Sequence, residues 1–117
     1  MSYFYRRVPL SEVPLDTRAA AVRSARRAAR RLRIRAILRW VRPTLPPRAE
    51  FKHTTLCDGF AADGTFIYIR ADISPRHAAH VAAHEMRHLW QHRAYGYDLA
   101  KADAEKDAER FAHTVAA

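Results

Sequence analysis

Residues 74–96 read SPRHAAHVAAHEMRHLWQHRAYG, and within them His80, His84, His88 and His92 recur at intervals of four. On a helix that spacing stacks side chains along one face. A helix over 75–95 is expected here, because Ser74 suits the N-cap, Pro75 the first helical position and Gly96 the end. Two imidazoles one turn apart can share an ion, since each Zn–N bond is only about 2.0–2.1 Å. A third rung cannot join them, because His80 and His88 lie roughly 12 Å apart at about 1.5 Å per residue.

Further chemistry chooses among the neighbouring pairs. A hydrolytic zinc centre needs a carboxylate to take a proton from water and pass it to the leaving amine. His80 is followed by Val81 and His88 by Leu89, whereas His84 is followed by Glu85. The resulting His84-Glu85-Met86-Arg87-His88 is an HExxH arrangement, with His84 and His88 as metal ligands and Glu85 as general base.

Working outward toward the C-terminus, KADAEKDAERFAHTVAA predicts a last helix over 101–115. Glu105 and Glu109 sit one turn apart on it. Glu105 can supply the third protein ligand of a tetrahedral Zn2+ centre, and Glu109 can accept the far N–H of a ligating histidine, fixing its tautomer. Asp107 competes as third ligand. It lies about 200° around the helix from Glu105, so only one of them faces the metal. Glu105 is favoured by its pairing with Glu109 and its longer reach. His113, Tyr95 and Tyr97 are rival oxyanion-stabilising groups, with none assigned.

Toward the N-terminus, residues 50–73 are rich in β-branched and aromatic side chains. AEFKHTTLC and TFIYIRADI are separated by two Asp-Gly turn signals, which predicts a small antiparallel sheet of two or three strands. Phe66, Tyr68 and Arg70 should share one face, and Ile67 and Ile69 the other. Before it, a basic helix is expected over 16–42, capped by Asp16 or Thr17 and ended by Pro43. Val22, Ala25, Ala29, Leu32, Ala36 and Trp40 form its apolar stripe. Residues 1–15 read as an irregular arm. The expected class is α+β, one domain over 16–117.

In the order helix, sheet, helix, helix, the chain resembles the gluzincin metallopeptidases, in which HExxH is followed on a later helix by ExxxD. Residues 105–112, EKDAERFA, are similar to that second motif with Glu109 in place of the usual Asp. The short length is similar to the minigluzincins, and the resemblance covers about residues 65–112. It implies a zinc metallopeptidase acting on peptides or proteins, with His84, His88 and Glu105 as ligands and Glu85 as base. It also implies an edge strand that pairs with extended substrate, here the 65–70 run. Arg87 departs from the pattern, which has an uncharged residue there, and the interval from His88 to Glu105 is short.

Composition bounds the alternatives. Cys57 is the sole cysteine, which excludes an intramolecular disulfide scaffold and suits a small buried hydrophobe. Neither a signal-peptide run nor a membrane-spanning segment is legible, so a cytoplasmic location is expected. The net charge is +9, and ten arginines lie between Arg18 and Arg42 with no acid among them. Such a helix can bind phosphate backbones, so nucleic acid is a candidate partner through 18–42, and a basic nucleic-acid-binding module is the rival function. A catalytically weak zincin-like regulator is a third.

Overall fold

The computed structural model describes residues 5–44, 58–62, 64–96 and 100–116. The two C-terminal helices follow their local signals closely. The helix Pro75–Tyr95 begins where the Ser74 side chain accepts the His77 N–H, and it ends at Gly96, whose φ is 63°. The last helix spans Lys101–Ala116.

The first helix, α1, spans Leu15–Leu32. It therefore stops ten residues before the expected end at 42. Arg33 adopts a left-handed conformation, φ 55° and ψ 45°, and its N–H closes on the Ala29 carbonyl. The chain then turns into a strand, Ile37–Pro43. Alternation explains the change of period: Trp40 enters the core beneath the helices, while Val41 faces an aromatic cluster on the opposite side. The helical spacing from Leu32 through Ala36 to Trp40 was thus incidental. Neither Asp16 nor Thr17 caps α1, because Pro14 holds the N-cap position. Thr17 instead donates its hydroxyl to the Ile73 carbonyl at 3.1 Å, tying α1 to the entrance of the next helix.

The strands, in chain order, are β1 Tyr5–Arg7, β2 Ile37–Pro43, β3 Gly59–Ala62 and β4 Phe66–Arg70. They form one sheet in the order β1-β2-β4-β3. β1 pairs antiparallel with β2, β2 parallel with β4, and β3 antiparallel with β4. The sheet is therefore mixed rather than antiparallel, and it draws strands from outside 50–73. The N-terminal segment is not an irregular arm either. β1 and a 3-10 turn at Leu10–Glu12 hold it, and Val8 and Val13 are buried in the main core. The strand expected over 49–57, with Cys57, lies outside the described residues.

The expected faces of β4 hold. Ile67 and Ile69 are buried against α1 and the helix Pro75–Tyr95, here α2, while Tyr68 joins Tyr5, Val41, Phe60 and Phe66 behind the sheet. Fully burying Ile67, Ile69, Met86 and Leu89 contributes about 1.5–3 kcal/mol each. α1 meets α2 through small residues. Ala21, Ser24 and Ala28 have no exposed surface, and the Ser24 hydroxyl donates to the Ala79 carbonyl at 2.5 Å. The buried stripe is thus Thr17, Ala21, Ser24, Ala28 and Leu32, rotated from the expected one, with Val22, Ala25 and Ala29 at its margin. The outcome is an α+β fold with α2 held between α1, the sheet and the last helix, α3.

Candidate metal centre

α2 and α3 form an antiparallel pair in which each step of four residues along α2 is met by a step of four back along α3. His88 faces Glu105, His84 faces Glu109, and His80 lies against Glu109 and His113. The short interval between His88 and Glu105 is enough, because α2 ends at Tyr95 and α3 begins at Lys101.

At the centre, His84 Nε2 and His88 Nε2 are 3.0 Å apart. Glu105 offers Oε2 at 3.2 Å from the first and Oε1 at 2.9 Å from the second. Three ligands of a tetrahedral zinc at its usual bond lengths stand about 3.3–3.4 Å from one another. The donor set of His84, His88 and Glu105 is compact enough to hold one ion.

The tautomers follow from the surroundings. Gln91 Nε2 donates to the Ala104 carbonyl at 2.9 Å and to Asp107 Oδ2 at 2.8 Å. Both partners accept, so Gln91 turns its carbonyl oxygen toward His88 Nδ1 at 2.9 Å. His88 Nδ1 therefore carries a proton, and in the neutral ring Nε2 is the lone pair. His84 Nδ1 lies 2.6 Å from Glu109 Oε1. Burial works against the charge on Glu109, but hydrogen bonding and charge attraction to His80, and then to His84, outweigh it and hold this carboxyl below its ordinary value. Glu109 accepts from His84 Nδ1–H. With both rings neutral, the two Nε2 lone pairs and the Glu105 carboxylate would converge on one point and could take a cation.

Glu85 leans into the same cleft from α2 and is only 8% exposed. Burial, and then the charge of Glu105, push its carboxyl up to about 8. Arg87 points away from the centre. It makes a two-pronged ion pair with Asp107, at 2.6 Å and 3.1 Å, and its guanidinium lies 4.0 Å from the centre of the Trp90 ring. That pairing, assisted by Gln91 against the cost of burial, holds the Asp107 carboxyl below its usual value. Asp107 is consequently turned away from the histidines and Glu105 toward them.

The cleft, about 630 Å³, lies between α2, α3 and β3 and includes Glu85, Gly59 and Phe60 in its walls. β3 crosses α2 so closely that a Cβ on Gly59 would sit 2.5 Å from Val81 Cγ1 and 2.8 Å from the Tyr68 carbonyl. β4 is paired on both edges, so the expectation that the 65–70 run is the edge strand is corrected: among the described residues the edge beside the cleft is β3. Sequence reasoning also missed Gln91, although its place three residues after His88 puts it on the same helical face.

Of the remaining candidates, His113 is 76% exposed with Nε2 3.8 Å from Glu109, and Tyr95 packs edge-on against Trp90 at 5.7 Å. Tyr97 lies outside the described residues. His77 pairs with Asp58 at 3.0 Å at the rim of the cleft. Among the described residues, no helix is long and apolar enough to cross a membrane.

Comparison with family models, with curated proteins and with solved structures finds no match for this chain.

Proposed function

We propose that this chain is a zinc-dependent metallopeptidase of gluzincin type. The observation that carries the reading is the convergence of His84 Nε2, His88 Nε2 and the Glu105 carboxylate, with Gln91 and Glu109 facing the Nδ1 atoms on the far side of the two rings. When bound there, zinc would polarise a scissile carbonyl and make water more acidic. Glu85 would accept the proton given up by the attacking water on its carboxylate oxygen and return it to the leaving amine nitrogen. Its burial keeps its proton affinity high enough for both transfers. A cation at the centre would offset the charge of Glu105 and lower the Glu85 carboxyl toward neutral pH. β3, whose second edge pairs with no strand among the described residues, would align an extended peptide.

Zinc content and peptide hydrolysis test this together. One zinc per chain is expected in the wild type and in Glu85→Gln, with hydrolysis reduced about 10²–10⁴-fold in the variant. A folded wild type without zinc, or a fully active Glu85→Gln, overturns the reading.

A second reading concerns α1. Arg23, Arg26, Arg30 and Arg31 are exposed, and none has a carboxylate partner among the described residues. Like charges at this spacing repel by a few tenths of a kcal/mol per pair, about 0.2–0.5. A phosphate backbone would relieve that repulsion, so we infer polyanion contact on this face. Duplex DNA binding that weakens steeply with salt, and is lost when these four become glutamine, is the expected result.

A further inference from the structure

The four-residue register between α2 and α3 builds a second donor cluster one turn from the first. Glu109 Oε1 lies 3.0 Å from His80 Nε2 and 2.6 Å from His84 Nδ1. One donor atom each from His80, His84 and Glu109 lies within 4.8 Å of the other two, as in the set of His84, His88 and Glu105. The two clusters share His84 and use opposite edges of its ring. Nε2 faces His88 and Glu105, whereas Nδ1 faces Glu109, which also reaches His80.

We propose that His80, His84 and Glu109 form an alternative seat for a divalent transition-metal ion, competing with the first seat for His84. A neutral imidazole has one lone pair, so His84 serves one seat or the other and not both. Two imidazoles and one carboxylate suit zinc, nickel or copper(II) better than the all-oxygen preferences of calcium or magnesium. The Glu109 and His80 side chains are 48% and 27% exposed. Glu109 therefore has room to widen its short contact with His84 toward the roughly 3.3–3.4 Å between ligands of one tetrahedral zinc.

The two seats differ in what supports their ligands. At the first, Gln91 holds His88 Nδ1 and Glu109 holds His84 Nδ1. At the second, His80 Nδ1 has no hydrogen-bond partner among the described residues. Such support is typically worth about 10–100-fold in metal affinity. The second seat is therefore the weaker, and it fills from added metal when the first is disabled. An ion there takes His84 and Glu109 away from the hydrolytic arrangement, so it is held without being used. That consequence rests on the peptidase reading; the seat itself does not.

The test is calorimetric titration of zinc chloride into the metal-free full chain, repeated with His88→Ala, His80→Ala and the variant carrying both changes, each checked for fold by circular dichroism. One ion is expected in the wild type, one at the same affinity in His80→Ala, one bound about 10–100-fold more weakly in His88→Ala, and none in the double variant. Glu105→Ala reads the same seat without altering α2, at a side chain 51% exposed. It should lack zinc as isolated and take up one ion weakly from added zinc. Folded His88→Ala and Glu105→Ala that bind no added ion overturn the proposal and leave the peptidase reading standing. Two ions in the wild type overturn the competition for His84, and an ion that survives in the double variant overturns the seat. One ion in His88→Ala with none in His80→Ala supports the second seat and counts against the first.

Discussion

Arg87 grips Asp107 with two guanidinium nitrogens, Nε at 2.6 Å from Oδ2 and Nη2 at 3.1 Å from Oδ1. The pair joins the residue that departs from the usual HExxH interior to the residue that rivals Glu105. Each accounts for the other. The cation of Arg87 is neutralised between α2 and α3, against Trp90 and Phe111, and Asp107 is withdrawn from His84, His88 and Glu105.

Asp107→Ala should therefore keep the zinc and lose about 1 kcal/mol of stability, a discounted figure for a partly exposed pair. Glu105→Ala should keep the fold and lose the zinc. Metal analysis with urea unfolding of both variants decides it, and loss of zinc in Asp107→Ala alone would reverse the assignment.

Metal-free protein should lose stability as the pH rises from about 5 to 8. Glu85 has its carboxyl at about 8 in the fold against 4.5 ordinarily, so over that range the folded chain binds more protons than the unfolded one. The slope from this group reaches about 1.4 kcal/mol per pH unit at most. Urea midpoints measured in a chelator should fall with pH more steeply for the wild type than for Glu85→Gln. Parallel curves would mean that Glu85 ionises normally.

Gly59→Ala should destabilise the protein by about 1–3 kcal/mol, because an added Cβ meets Val81 and the Tyr68 carbonyl, and the carbonyl is held in the sheet. The strain should also push β3 off α2 beside Glu85. A melting temperature within a degree of the wild type would show that the strand does not lie so close.

Arg33→Gly should stabilise the chain by about 0.5–1 kcal/mol by relieving a side chain at φ 55°. The sign is diagnostic. Had the helix continued to 42, glycine in its interior would cost about 1 kcal/mol instead.

Much of the candidate site was legible because its signals are local. Ser74, Pro75 and Gly96 bracket α2, and an interval of four sets His84 against His88 on any helix. Glu105 and Glu109 were found the same way. What escaped was the support around them. Gln91 orients His88 only because Ala104 and Asp107 hold its amide nitrogen, and the facing register of α3 creates that contact.

The sequence by itself determined the extents of α2 and α3, the two faces of β4, and which histidine pair carries an adjacent acid. These depend on caps, on glycine and proline geometry, and on the periods 3.6 and 2. Only the tertiary structure decided that Ile37–Pro43 is a strand, that it lies parallel to β4, that β3 forms the edge beside the cleft, and that Asp107 belongs to Arg87. The physical reason is that ILRWV satisfies either period in isolation. Burial of Trp40 under the helices and of Val41 behind the sheet, together with backbone pairing to residues nearly thirty positions away, selects the strand.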